Sequence, residues 1–164
     1  MSAHNIATTN EVIESAVIRA PLSHVWHFIK LGEFDKFWPA VNKAEHVKNV
    51  SNETDVVRWT FKDGSTAEVK QDEHSVRVYV NLDHFITYSV IDSKPDLTYS
   101  GVVSTVRCWA VSCGEFENST FVRWTSKFSS DADLGVIEDA KYKRREALKG
   151  LEAAAAKMVK EHKA

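Results

Sequence analysis

Cysteine and proline are scarce in this chain, with two of the first and three of the second among 164 residues. Two thiols cannot build the disulfide framework that small secreted domains use, and by themselves they make no metal site. Glycine is sparse too, at six residues, which excludes collagenous and linker-like sequence. No apolar run approaches the roughly 20 residues needed to span a bilayer. The opening "MSAHNIATTN" has no basic segment leading into an apolar one, so no signal peptide is expected. Neither sign of charge dominates: 21 Lys and Arg against 23 Asp and Glu leave a net charge of −2. That balance offers no broad attraction to nucleic acid or to an anionic membrane. G-x-S-x-G, the phosphate-binding P-loop and the glycine-rich dinucleotide fingerprint are all missing. What remains is one cytoplasmic domain over residues 1–164. No integral membrane association, nucleic-acid partner, metal or cofactor is expected, and about the first ten residues read as a flexible tail.

The chain does have clear periodicity. Apolar Val12, Ile13, Val17 and Ile18 mark a strand over 11–19 with a broken alternation. Pro21 then suits the first turn of a helix. Leu22, Val25, Trp26 and Ile29 recur at helical spacing, and Phe34, Phe37 and Trp38 make a second short turn that Pro39 stops. Beyond this the period falls to two. Strands are predicted near 41–49, 56–62, 65–73, 76–82, 84–92, 99–112 and 116–128, with Asp63-Gly64 as a tight hairpin turn. Cys108 and Cys113 fall five apart near the end of one such strand, so alternation sends them to opposite faces and keeps both thiols free. Asp131 or Asp133 can cap a final helix of about 28 residues, about 42 Å long. Ile137, Ala140, Arg144, Ala147, Leu148, Leu151, Ala155 and Met158 trace its buried stripe, and Asp139 with Lys143 forms an i,i+4 ion pair on another face.

The stretches "VIRAPLSHVWHFI", "FDKFWPAV", "ITYSVIDS", "STFVRWTSKF" and "KYKRREALKGL" together resemble the START-like, or SRPBCC, helix-grip superfamily. That superfamily holds polyketide cyclase/dehydrase-like proteins, the birch pollen allergen family and the abscisic acid receptors. The resemblance covers nearly the whole chain and implies an α+β fold, a curved antiparallel sheet wrapped around the long C-terminal helix. It also implies that Trp26, Phe34, Phe37 and Trp38 plug one end, with a pocket left between sheet and helix.

Several residues are candidates for that pocket. The helix stripe is light in side chains, at Ala140, Ala147, Ala154 and Ala155 with Gly150 beside them, and a glycine inside a helix calls for a reason. Either these positions leave room for a ligand, with Ala147 and Leu151 facing it, or bulky Trp59, Trp109 or Trp124 fills the gaps. Arg144 shares the stripe, and Arg107 and Arg123 lie in strands. A guanidinium matches a carboxylate bidentately, so one of them can hold an acidic ligand or pair internally with a residue such as Glu68. The apolar parity of Val122, Trp124 and Phe128 puts Arg123 outside and favours Arg107. By resemblance to the hormone receptors, Tyr88 lines the pocket, with Val90 and His84 on the same strand face. His24 and His27 have a spacing that metals tolerate, but two ligands alone are a weak site, and they read as surface residues. The expected function is to bind a small hydrophobic or amphipathic ligand, such as a lipid, sterol, polyketide or aromatic acid. A polyketide cyclase/dehydrase-like enzyme and a protein-binding adaptor are the alternatives, and a protein partner or homodimer stays open.

Overall fold

The computed structural model describes residues 6–47, 55–75 and 84–163. Its elements are β1 (Glu11–Ile18), α1 (Leu22–Phe28), a 3₁₀ helix (Leu31–Lys36), β2 (Val41–His46), β3 (Val56–Phe61), β4 (Thr66–Ser75), β5 (His84–Lys94), β6 (Val102–Ala110), β7 (Thr120–Phe128) and α2 (Leu134–Lys163). The strand expected at 76–82 lies outside the described residues.

The strands form one antiparallel sheet in the order β1-β7-β6-β5-β4-β3-β2. From β2 to β7 each strand pairs with its sequence neighbour, and β1 then joins β7 on the far edge. Because β1 and β2 occupy opposite edges, the short chain between them must cross the sheet's open side. The two short helices make that crossing. Thr120 Oγ1 donates to Ala20 C=O at 2.8 Å, pinning the exit of β1 to the start of β7. The long helix α2 packs on the concave face of the sheet, which is the helix-grip arrangement. Among the described residues no helix is long and apolar enough to cross a membrane.

The end plug is aromatic. Phe34 is fully buried, lies stacked on Trp59 at 5.0 Å between ring centres, and meets Trp124 edge-on at 5.7 Å. Trp38 meets Trp124 at 5.1 Å, and Trp59 Nε1 donates to Leu31 C=O at 2.9 Å. Each buried ring of this size contributes about 1.5–3 kcal/mol relative to leaving it in water. Trp26, expected in the plug, instead lies half-buried at its margin against His84, 5.0 Å away.

Asp133, not Asp131, caps α2, its Oδ1 accepting the Val136 N–H at 2.9 Å. Asp131 ties the turn before β6, accepting the Ser100 N–H at 2.9 Å and its hydroxyl at 2.6 Å. The Ser100 hydroxyl, then the nearby Ser129 hydroxyl, then the Ser100 N–H hold its carboxyl down at about 2. The expected pair Asp139–Lys143 is present at 2.8 Å.

Two strands are shorter than alternation predicts. β6 stops at Ala110 and β7 begins at Thr120, and between them Gly114 (φ 88°) and Asn118 (φ 66°) take left-handed backbone that no strand allows. Cys113 therefore sits exposed in this turn and not on a strand, while Cys108 is buried on the concave face. Both thiols are free, as expected, but for a different reason: they are on separate elements. Burial pushes the Cys108 thiol up to about 12, so it is inert in the folded protein. A thiol reagent should modify one cysteine rapidly in the native protein and two after denaturation. A count of zero in the denatured, unreduced monomer would contradict this arrangement.

Gly150 explains itself. A Cβ at this position would stand 1.9 Å from the Phe37 carbonyl oxygen, so only glycine lets α2 touch the plug's backbone. In an unconstrained helix Gly→Ala gains about 1 kcal/mol. Here Gly150→Ala should reverse that sign and cost at least about 1–3 kcal/mol, read as a lower urea midpoint with unchanged slope.

Candidate ligand-binding site

Below the plug the packing is incomplete. One apolar cluster surrounds Phe34, Trp38, Trp59 and Trp124; a second, smaller one joins Val102, Phe128, Ile137 and Ala140. Members of both border a cavity of about 720 Å³ between the sheet and the N-terminal half of α2. Its inner wall is aromatic, from Trp38, Trp59, Phe61, Tyr88 and Phe128, with Ala67 and Ala140 making room. Its mouth lies between the Asp63-Gly64 turn, the Lys94–Tyr99 segment and the Asp139–Lys143 pair. This volume is within the range of sites for drug-sized molecules.

One cation reaches this space from α2. Arg144 is 9% exposed and lines the cavity. Its Nε donates to Ser126 Oγ at 3.0 Å, and Ser126 in turn shares a hydrogen bond with Ser104 at 2.8 Å. Its guanidinium carbon lies 5.7 Å from the Trp124 ring centre and 5.9 Å from that of Phe128. Among the described residues it makes no ion pair, which is costly for a buried charge. Burial lowers its pKa from the usual arginine value, opposed by the nearby Tyr88 and Tyr99 phenols and by Asp139. The side chain remains a guanidinium at neutral pH because its ordinary value is so high.

Other polar groups beside it are also unsatisfied. The Tyr88 hydroxyl and the Trp38 indole N–H, both of cavity-lining residues, are buried with no hydrogen-bond partner among the described residues; so are the Trp124 indole, His24 Nδ1 and Asp35 Oδ1, which do not line the cavity. Burial raises the Tyr88 pKa. Arg144, Ser104 and Trp124 pull it the other way, but neither the serine nor the indole meets the phenol in hydrogen-bonding geometry. Tyr88 is thus a neutral phenol at physiological pH, able to donate a proton to a hydrogen bond and unfit to serve as a base. Each such buried donor left unpaired costs about 1–3 kcal/mol.

Of the candidates from sequence, Trp59, Tyr88, Val90 and Arg144 line this cavity together. Ala147 and Leu151 are buried further along α2, packed in the larger cluster under the plug. Gly150 there admits the Phe37 backbone, so that part of the light stripe holds chain and not empty space. Ala140 alone of the stripe's alanines lines the cavity. His84 packs on Trp26 at the other end of β5. Glu68 pairs with Arg58 at 2.6 Å, in place of either strand arginine. Arg107 and Trp109 point to the convex face, where Arg107 lies 4.6 Å from the Phe85 ring and Trp109 stacks on Phe121 at 5.6 Å. Arg123 is outside, as parity required, and Arg107 shares its face because the two are paired across β6 and β7. His27 is exposed and His24 is half-buried, 5.3 Å from the His162 ring. Sequence reasoning passed over Ser104, Ser126 and Tyr99. The parity of Ser126 with Trp124 and Phe128 was a signal, since a serine on an apolar strand face needs a partner.

No protein-family model and no curated protein sequence matches the chain. Solved structures do. XoxI from Bacillus cereus superposes with a TM-score of 0.71 at 17% identity, over 92% of this chain and 98% of its own. The Zhui aromatase/cyclase from Streptomyces sp. R1128 gives 0.68 at 16% identity, over 91% and 94%. The di-domain aromatase/cyclase StfQ of the steffimycin biosynthetic pathway gives 0.67 at 17% identity, over 91% of this chain and 46% of that one. The protein has the helix-grip fold that these structures share.

Substitutions at two alanines of the same helix separate cavity from packed core. Ala147→Leu should cost about 1–3 kcal/mol by overpacking. Ala140→Leu should leave the melting temperature unchanged or raised, and should reduce binding of an environment-sensitive apolar dye. Equal destabilisation by both would mean that the cavity closes in solution.

Proposed function

We propose that the protein binds a small amphipathic molecule, with an apolar, ring-bearing or polyketide-like body and a carboxylate, phenolate or carbonyl end seated on Arg144. The observation that carries this reading is a buried guanidinium with no carboxylate partner among the described residues, lining an aromatic cavity of about 720 Å³. The Tyr88 hydroxyl and the Trp38 indole, both of lining residues and both without a partner among the described residues, support it, since they favour a ligand with acceptor oxygens. Lipids and sterols with little oxygen would leave these donors unpaired, so aromatic acids and polyketides fit better. An adaptor would require a filled core, and this one is open. Two free thiols and an unexceptional charge balance support a cytoplasmic location.

A second reading is a cyclase-like enzyme. It is favoured by the two aromatase/cyclases among the structural neighbours and by Arg144 and Tyr88, which line the cavity together, as joint donors to one carbonyl. Two such donors would stabilise negative charge developing on that oxygen as an enolate forms. The step also needs a group to take the proton from carbon. The carboxylates that line the cavity, Asp63 and Asp139, are at its mouth, and Asp139 is paired with Lys143. Binding without turnover is therefore the stronger reading.

Arg144→Met keeps the side-chain length and removes the charge. It should weaken binding of aromatic acids by about 10- to 100-fold, the worth of a charge-assisted hydrogen bond, and spare uncharged analogues. Stability should hold or rise, because an unpaired buried charge is gone. Native mass spectrometry of the parent protein identifies any co-purifying molecule. Equal loss for acids and neutral analogues, or a lower melting temperature, would assign Arg144 a structural role.

A further inference from the structure

The convex face of the sheet carries a feature that the cavity does not use. On β6 and β7, Arg107 stands directly opposite Arg123, Thr105 opposite Thr125, and Val103 opposite Lys127. Strand alternation turns all of these away from α2. Arg107, Arg123, Thr105, Thr125 and Lys127, with Glu11 and Ile13 of β1, border a shallow depression of about 370 Å³. It gathers three cations against one carboxylate, on a chain whose overall charge is −2.

Like charges on directly opposed strand positions repel. Sheets ordinarily relieve this with an acidic neighbour. Here neither arginine makes an ion pair or a side-chain hydrogen bond among the described residues. Lys127 faces Glu11 across the β1–β7 ladder but forms no ion pair with it. What holds the guanidiniums is aromatic. Arg107 lies 4.6 Å from the Phe85 ring centre and Arg123 lies 5.5 Å from that of Trp109. A ring beside a guanidinium restrains it without using its N–H donors, so the forks stay available to a ligand. The Thr125 hydroxyl makes no hydrogen bond among the described residues, whereas that of Thr105 is shared with Thr87 at 2.9 Å.

We propose that this depression is a second binding site, for a phosphate group, held by Arg107 and Arg123 with Thr125 and Lys127 in support. Two forks and a hydroxyl suit a tetrahedral oxyanion, which accepts bidentate bonds on more than one edge. A dianion also relieves the repulsion between the paired arginines better than a single carboxylate does. The phosphate can come from a small soluble phosphate or from a lipid headgroup. Ile13 and Val103, 55% and 46% exposed beside the cations, give the second source an apolar surface to rest on. The proposal is independent of the cavity reading, because the sheet separates the two sites.

The test is a titration of the intact protein at low ionic strength, followed by amide chemical shifts and calorimetry. Inorganic phosphate is one arm, with chloride at matched ionic strength as its control. Vesicles of phosphatidylcholine with and without phosphatidic acid are the other. Saturable binding in either arm is expected, and the arm in which it is tighter names the source. The double variant Arg107→Ala, Arg123→Ala should lose at least about tenfold in affinity, and the single exposed-site variant Arg123→Gln should show a smaller loss in the same direction. Arg144→Met should bind phosphate as the parent does. No binding in either arm, equal shifts with chloride, or affinity unchanged in the variants overturns the site. So does a variant whose only effect is a lower melting temperature, which would make the arginines packing residues.

Discussion

Gly150 of α2 lies so near the carbonyl of Phe37 that no Cβ would fit between them, and this contact ties the long helix to the aromatic plug. Backbone touches backbone there, so the long helix cannot slide or rotate over the sheet without a clash. That fixed point presses the C-terminal half of α2 into the aromatic plug around Phe34. The cavity lies beside the N-terminal half of α2, bordered by Val136, Ala140 and Arg144, away from this contact. A side chain larger than hydrogen at this one position would lift the helix and alter both the plug and the space below it.

Within the cavity the chain accepts energetic losses that a core selected for stability alone would not contain. Among the described residues a guanidinium is buried without a carboxylate, and the Tyr88 phenol and the Trp38 indole are buried without acceptors. The Arg144–Ser126–Ser104 chain satisfies one nitrogen of the guanidinium and fixes its direction. Its other donors face an apolar space in which any interaction they make is little screened by water. Of the buried polar atoms without a partner among the described residues, the Tyr88 hydroxyl and the Trp38 indole belong to residues that line the cavity, and those of Trp124, His24 and Asp35 do not. The convex face follows the same logic in a wetter setting. There the imbalance is of charge, and the rings that hold the arginines leave their hydrogen bonds unused.

How much of this could be read from the sequence depends on the range of the interaction involved. Local rules fixed the elements: Pro21 and Pro39 bounded the short helices, Asp63-Gly64 made a hairpin, and Asp139 with Lys143 formed the pair that helical spacing dictates. The same rules failed at Cys113. Its flanking turn depends on left-handed backbone at Gly114 and on Asn118, a residue that tolerates positive φ without requiring it. Among the candidates for the site, strand parity alone was enough to turn Arg123 outward. Parity with Trp124 and Phe128 likewise placed Ser126 on the inner face, but its meaning required Arg144 on another element.

The sequence by itself therefore determined the parts: a strand, two short helices, a run of antiparallel strands and a long helix with one light stripe. Tertiary structure alone decided which light positions stay empty. Ala140, Ala147 and Gly150 are alike in composition and spacing, yet the first borders the cavity, the second is sealed in the core, and the third meets a backbone carbonyl. The pairing of β6 with β7 decided in the same way that Arg107 would stand beside Arg123 on the convex face while Arg144 came from the helix into the cavity. The reason is physical. Periodicity specifies which side of its own element a residue occupies, but a cavity is a failure of two elements to meet. Whether they meet depends on how elements distant in sequence pack, and that is not encoded in any local stretch.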